Sequence, residues 1–206
     1  MSQSQELAGS EPDKLILVES QSLTGAEQIL PDVSVRDFWA WALGDLRMNS
    51  TRGMLAQFLV AKALGDPRLR DDGWGNFDVL TAEGIKVEVK SSGYLQSWKQ
   101  RNLSKIVFSG LKGRSWDAET GYYSAEPEYR ADVYIFAVHT CQDPSLYDPL
   151  DVDAWIFYVL PARVVRDLGQ KTLSLARLTA LAPSPVSWSK LPEAVQNSVN
   201  QSAQAE

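Results

Sequence analysis

Residues 76–92 read Asn76-Phe-Asp78-Val-Leu-Thr-Ala-Glu83-Gly84-Ile-Lys86-Val-Glu88-Val-Lys90-Ser-Ser. Two runs with strand character flank a glycine, which is the pattern of a hairpin. In the second run Lys86, Glu88 and Lys90 share one face of a strand, while Ile85, Val87 and Val89 share the other. The apolar set is expected to lie against a helix layer, which leaves a carboxylate between two ammonium groups on the opposite face. Loop length then sets the fate of Asp78. A two-residue loop at Glu83-Gly84 would pair Val79 with Glu88 and turn Asp78 to the wrong face. A three-residue loop, Ala82-Glu83-Gly84, puts Gly84 where a left-handed backbone is needed. It sets Asp78 opposite Glu88, with β-carbons about 5 Å apart. One residue of register separates a site from no site, and the glycine favours the three-residue loop.

Two carboxylates at that separation repel each other, and a divalent cation relieves the repulsion. Hard oxygen ligands with open positions suit Mg2+ or Mn2+, which keep waters and accept substrate phosphate. Lys90, on the same face, could hold an attacking water or offset charge developing on a phosphate. The plainer alternative is a surface hairpin whose Glu and Lys make cross-strand ion pairs worth about 0.2–1 kcal/mol each.

The flanking sequence supplies an α/β frame. Ser34-x-x-Asp37 has the form of a capping box and opens a helix carrying Phe38, Trp39, Trp41 and Leu43 toward Leu46. Asn49, Ser50 or Thr51 can cap a second helix from Arg52 to Leu64, closed by Gly65 and then Pro67. Strands are expected over Gly75–Thr81, Ile85–Ser91, Ala131–His139 and Ala154–Leu160. Pro161 suits the first turn of a helix ending at Gly169. A strand over Thr172–Leu175, a short helix to Leu181 and a last helix over Leu191–Val199 follow. The expected fold is α/β, with a central mixed sheet flanked by helices. Residues 1–31 read as a partly disordered N-terminal extension, with a disordered start over Met1–Asp13 and a short edge strand over Lys14–Ser20. Residues 32–182 read as the α/β domain, and 183–206 as a C-terminal segment with a short helix and a polar tail.

The 206 residues suffice for one core, with 44% hydrophobic residues and 22% charged. A single cysteine, Cys141, excludes an internal disulfide, and the single histidine, His139, excludes most Cys/His zinc sites. The polar, acidic start and apolar runs no longer than Val133–Val138 and Ala154–Ala162 point to a cytoplasmic protein without a membrane span. The net charge of −6 would argue against nucleic acid, were it evenly spread. Residues 84–116, however, hold seven bases (Lys86, Lys90, Lys99, Arg101, Lys105, Lys112, Arg114) and one acid, Glu88. Residues 117–153 hold nine acids and only Arg130. Such asymmetry can make a cationic face, although a solvated lysine-rich loop would look the same. His139, at the end of an apolar strand, reads as a satisfied core residue and Cys141 as a packed one. Asp143, Asp148, Asp151 and Asp153 lack Ca2+-loop spacing and read as a solvated turn. There is no Gly-x-Gly-x-x-Gly or Walker loop.

Asp78…Glu88-Val-Lys90, on a hairpin after a capped helix, resembles the core of the PD-(D/E)xK nuclease superfamily, the restriction-endonuclease-like fold. The resemblance spans about 52–159: a helix, three antiparallel strands, an intervening helical segment and a further strand. Arg52-Gly-Met-Leu-Ala-Gln57-Phe-Leu-Val-Ala-Lys-Ala-Leu and Glu88-Val-Lys-Ser-Ser-Gly-Tyr-Leu-Gln96-Ser-Trp are similar to an uncharacterised bacterial branch of that superfamily. The resemblance implies that Asp78, Glu88 and the Val89 carbonyl bind metal, and that Lys90 assists the water that hydrolyses a phosphodiester. Many members add a Glu from the first core helix, where this chain has Gln57. Helical spacing sets Gln57 on a Met54–Phe58–Ala61 stripe expected to pack inward, as a site residue or as a buried amide with a backbone partner. The proline of the superfamily's name is replaced by Phe77. Gln96, six residues after Lys90, stands where the superfamily often has a helix residue assisting the site; it could equally cap or solvate that helix.

The expected function is therefore metal-dependent hydrolysis of nucleic acid, DNA first, with Asp78, Glu88, Lys90, Gln57 and Gln96 as the catalytic set. Lys99, Arg101 and Lys105 would track the backbone while Trp98 stacks on a base, although core packing is the commoner role of a tryptophan. The alternative is an inactive nuclease-like domain that binds nucleic acid or a protein partner, and a second chain or homodimer could complete the site.

Overall fold

The computed structural model of the chain describes residues 20, 22–23, 33–68, 75–117, 119–182 and 184–203. The disordered start expected over 1–13 lies outside them, as does the strand expected over 14–20 except for its last residue. The chain divides into two compact units, Met1–Gly44 and Asp45–Glu206. In the first, α1 spans Val35–Leu43. Its capping box is complete: Ser34 Oγ accepts from the Asp37 N–H at 3.4 Å, and Asp37 Oδ2 accepts from the Ser34 N–H at 2.7 Å. The helix stops before Gly44, short of Leu46, and its Phe38, Trp39, Trp41 and Leu43 are exposed.

The second unit begins with α2, Asn49–Leu64, which starts three residues ahead of the expected Arg52. Met48 takes the cap position and no side chain caps the helix there. The candidate caps are used otherwise: Asn49 Oδ1 accepts from Arg52 Nη2, and Thr51 Oγ1 donates to the Asp45 carbonyl. Gly65, at φ +66°, closes the helix in the left-handed conformation that glycine adopts without a Cβ clash. Then come β1 (Val79–Leu80), β2 (Lys86–Gly93), β3 (Val107–Ser109), β4 (Trp116–Asp117), β5 (Tyr122–Tyr123), β6 (Val133–His139) and β7 (Trp155–Pro161). The unit ends with α3 (Ala162–Leu168), β8 (Thr172–Ser174), α4 (Leu175–Leu181) and α5 (Leu191–Ala203).

Four strands form the central sheet in the order β1-β2-β6-β7, with β1 antiparallel to β2, β2 parallel to β6, and β6 antiparallel to β7. This is a mixed α/β architecture with a central mixed sheet flanked by helices. Every residue of β6 is buried, as expected for an apolar run covered on both faces. One face packs Val87, Val89, Ile135 and Phe157 against Ala56, Leu59 and Val60 of α2 and Leu191 and Val195 of α5. The other packs Tyr134, Phe136 and Tyr158 against Phe108 of β3, Val165 of α3, Leu173 of β8 and Leu178 of α4. Each Val, Leu, Ile or Phe among them, fully buried, contributes about 1.5–3 kcal/mol.

Two expectations about the middle of the chain fail. The resemblance implies three antiparallel strands in succession; β1 and β2 pair that way, but the long connection over 94–132 lets β6 return parallel to β2 within the expected mixed sheet. That connection holds β3, β4 and β5 and, among its described residues, no helix. Its first part is folded by one side chain: Gln100 Oε1 accepts from the Gln96 N–H at 2.7 Å, and Gln100 Nε2 donates to the Tyr94 carbonyl and to Ser104 Oγ. These bonds take backbone groups that a helix would need. Gly110, at φ +67°, ends the next extended piece.

Candidate functional site

The hairpin has the three-residue loop. Thr81 N–H donates to the Ile85 carbonyl at 3.1 Å, Gly84 N–H donates to the Thr81 carbonyl at 3.0 Å, and Gly84 sits at φ +85°. Val79 pairs with Val87 and Leu80 with Lys86, which carries Asp78 to the position opposite Glu88. β1 is only two residues long, and a clip from the preceding loop secures it. Asp66 Oδ2 accepts from the Leu80 N–H at 3.0 Å, while Arg68 Nη2 donates to Asp66 Oδ2 at 2.6 Å and to the Asp78 carbonyl. Phe77 lies under the Arg68 guanidinium, 5.3 Å from its ring centroid.

The Asp78 carboxylate does not stay on the Glu88 face. Its Oδ1 accepts from Gln57 Nε2 at 2.8 Å, and its Oδ2 accepts from the Val89 N–H at 2.7 Å. Gln57 belongs to α2, which covers the Val87–Val89 face. Asp78 therefore curls around the edge of β2, just where β1 has ended. Lys86 gives its carbonyl to the Asp132 N–H on the β6 side, and Val87 gives its carbonyl to the Asp78 N–H on the β1 side. Strand alternation then turns the Val89 carbonyl toward the β1 side as well, beyond the last paired residue of that edge.

Glu88 and Lys90 project from the opposite face and form an ion pair of 2.6 Å. Glu88 is only 7% exposed. Tyr134 of β6 neighbours Glu88 in the sheet and donates its hydroxyl to the Leu111 carbonyl at 2.9 Å. Burial, and after it the Glu88 charge, push the Tyr134 hydroxyl well above the ordinary tyrosine range. A side-chain carbon on Gly110 would lie 3.8 Å from Lys90 Nζ, so the β3 turn runs close to the ammonium group.

Gln57 reaches the site by a different face from the one its spacing suggested. Met54 and Phe58 are exposed, and the inward stripe is Arg52, Ala56, Leu59 and Val60. Gln57 flanks that stripe and is half-buried, with a carboxylate partner rather than a backbone one. Gln96 lies on no helix. Its Nε2 donates to the Gly93 carbonyl at 3.0 Å, and its Oε1 is buried without a hydrogen-bond partner. It lines a groove of about 760 Å3 together with Trp98, Lys99, Arg101, Arg47 and Tyr147. Lys105 is exposed but is not part of the groove wall. Trp98 is 57% exposed, as a stacking residue must be.

The other candidates resolve simply. His139 is buried, its Nε2 contacting the Asp148 carbonyl at 3.1 Å, and burial pushes its pKa below the ordinary value. Cys141 Sγ lies 3.2 Å from the Asp143 carbonyl. Asp143, Asp148 and Asp151 each accept from the N–H two residues on, so this acidic loop is a series of capped turns. Among the described residues no group of three or more His, Cys, Asp or Glu side chains is gathered to hold a metal, and no helix is long and apolar enough to cross a membrane. Sequence reasoning missed Arg52 and Tyr147. Arg52 is an arginine on the inward stripe of a helix, which spacing alone reads as a surface charge.

No protein-family model matches the chain, and no curated protein matches it. Among solved structures it is similar to a bacterial homing endonuclease, I-Ssp6803I, at 20% identity and a TM-score of 0.40, over 76% of this chain and 97% of that one. So distant a likeness transfers no residue roles, and the functional reading rests on the geometry.

Proposed function

We propose that this chain is a metal-dependent phosphodiesterase acting on nucleic acid, with DNA the substrate to try first, built on the restriction-endonuclease-like plan. One observation carries the reading. The Asp78 carboxylate is anchored by Gln57 Nε2 and the Val89 N–H at the end of a clipped edge strand, in the register that sets the Asp78 backbone opposite Glu88, itself paired with Lys90. A solvated hairpin needs no tertiary anchor on its aspartate and would leave its glutamate in water. The donor set of Asp78, Glu88 and the Val89 carbonyl consists of hard oxygens and fits Mg2+ or Mn2+. When bound there, the metal would lower the pKa of a water and neutralise charge on the leaving oxygen.

The chain's own groups have separable tasks. Gln57 fixes the orientation of Asp78 without adding a charge. Lys90 has three N–H donors, of which one goes to Glu88; the others can hold a water in line with the phosphorus or meet a phosphate oxygen. Lys99, Arg101 and Lys105 would follow the strand, with Trp98 stacking on a base.

The second reading is an inactive domain that binds nucleic acid. It is favoured by the protein donors already engaged with Asp78 and with one oxygen of Glu88, which leave less repulsion for a cation to relieve. Cleavage of plasmid and single-stranded DNA with Mg2+ or Mn2+ separates the two. Wild type is expected to cut, EDTA to stop it, and Lys90→Ala to slow it by about 100-fold or more. Asp78→Ala and Glu88→Ala should fold and not cut; cutting by both would sink the site assignment. Clean wild-type protein that binds DNA and never cuts it would establish the second reading.

A further inference from the structure

The groove beyond the carboxyl end of β2 is built around a charge that no carboxylate balances among the described residues. Arg52 is 3% exposed. Its guanidinium donates to the carbonyls of Arg47 at 3.1 Å and Leu95 at 3.2 Å, and to Asn49 Oδ1, all of them neutral acceptors. Its Nε has no partner, and among the described residues no carboxylate forms an ion pair with it. Burying a cation without a counter-charge is costly, and an anion arriving in this groove would offset part of that cost. Arg47 and Leu95, whose carbonyls hold the guanidinium, both line the groove.

Three further buried atoms lack partners at the same place: Tyr147 Oη, Gln96 Oε1 and His139 Nδ1. Tyr147 and Gln96 line the groove, and the Tyr147 ring lies 4.5 Å from that of His139. The lining contains Arg47, Lys99 and Arg101 and no acidic side chain. Arg47 is partly neutralised by Asp45 at 3.1 Å, whereas Lys99 and Arg101 form no ion pair among the described residues. Gly93 and His139, the last paired residues of the parallel strands β2 and β6, mark this end of the sheet. It is the carboxyl end of the one parallel pair in the sheet, the side on which parallel strands present their ligand-binding loops. The first turn of α2 is there too, with no side chain on its free N–H groups.

We infer that this groove is a phosphate-binding subsite for a nucleic-acid strand, in which Lys99, Arg101 and the Tyr147 hydroxyl contact the phosphate above the buried Arg52 charge. The subsite rests on the reading of the chain as a nucleic-acid-binding protein and is separate from the proposed cleavage centre. Five residues of β2 and its continuation separate Lys90 from Leu95, about 16 Å of extended chain. That is about five base steps of a duplex. The phosphate can be an internal phosphodiester or the monophosphate at a strand end.

The test is binding of full-length protein to single-stranded oligonucleotides, with and without a 5′-phosphate, in EDTA so that hydrolysis plays no part. Lys99→Ala/Arg101→Ala should weaken binding at least tenfold and Tyr147→Phe about fivefold. Lys171→Ala/Lys190→Ala, which removes two exposed lysines outside the groove, should change it less than twofold. Tighter binding of the phosphorylated strand, with competition by inorganic phosphate, assigns a terminal monophosphate. Equal binding of both strands, still weakened by the groove variants, assigns an internal phosphodiester. Because Arg52 variants can fail to fold, its charge is tested by thermal shift: inorganic phosphate should raise the wild-type melting temperature above that in chloride of equal ionic strength, and less so for Tyr147→Phe. Groove variants that bind like wild type, with no phosphate-specific thermal shift, would overturn the proposal and leave a pocket that merely holds water. A protein that never cuts DNA yet loses affinity in these variants keeps the subsite and loses only the cleavage reading.

Discussion

Gln57 gives Asp78 a neutral donor where a carboxylate would repel it. Gln57→Glu removes that hydrogen bond and sets a second negative charge beside the first. Without metal the variant should lose about 1–3 kcal/mol of stability; saturating Mg2+ or Mn2+ should restore it and bind more tightly than to wild type. Thermal denaturation with and without the cation checks both, and a variant indifferent to metal would detach Gln57 from the site. Asp66 is the other residue with a measurable signature. Burial alone would raise its pKa, but the Arg68 side chain and the N–H groups of Leu80 and Arg68 outweigh burial and hold the carboxyl below its ordinary value. A depressed carboxyl pKa means that the unfolded chain binds the proton more readily. Its contribution is therefore complete above the unfolded value of about 3.9 and fades as pH falls through the folded one. Asp66→Asn should be less stable at neutral pH and show a shallower loss of stability on acidification, as followed by circular dichroism.

At the scale of elements, the hairpin loop governs whether a site exists. Gly84 at φ +85° is a backbone state that costs an L-residue about 1–2 kcal/mol. Gly84→Ala should lower the melting temperature by that equivalent while keeping the register, since Val79 and Val87 remain buried in the same core. Deleting one loop residue is different in kind. Because β2 is held by seven pairs to β6, the deletion would force either a slip of β1, turning buried Val79 outward, or loss of the β1 pairing, and with it the Asp78 anchor on the Val89 N–H. Activity should vanish in the deletion and survive in Gly84→Ala. The legibility of this element has a physical basis: side chains alternate with a period of two and one glycine fixes the turn, so three residues of loop place Asp78 opposite Glu88. The curl of the Asp78 carboxylate to Gln57 was not legible, because it depends on where β1 ends and on which turn of α2 lies above that end.

At the scale of the molecule, an acidic chain presents a basic groove. If Lys99, Arg101 and Lys105 each neutralise one phosphate, the affinity for single-stranded DNA should fall with a log–log salt slope of about −2. That amounts to a loss of about twentyfold between 50 and 200 mM salt. A flat salt dependence would remove these three side chains from the interface. The basic segment that holds them was expected to include a helix, and it is instead a loop wrapped around the Gln100 side chain. Helix and loop compete there for the same backbone donors and acceptors, and the outcome depends on tertiary neighbours.

The sequence by itself determined the local features: the Ser34–Asp37 cap, the ends of α2 and α3 at Gly65 and Gly169, the turn at Gly84, and the apolar run Val133–Val138 of the central strand β6. Each follows from dihedral preference or from periodicity within a few residues. Only the tertiary structure decided the parallel return of β6, the exposure of Met54 and Phe58, the passage of Asp78 around the sheet edge and the burial of Arg52 beneath the groove. Those outcomes depend on contacts between residues distant in the chain, among them Gln57 with Asp78 and Arg52 with Leu95, and no local periodicity encodes such pairs.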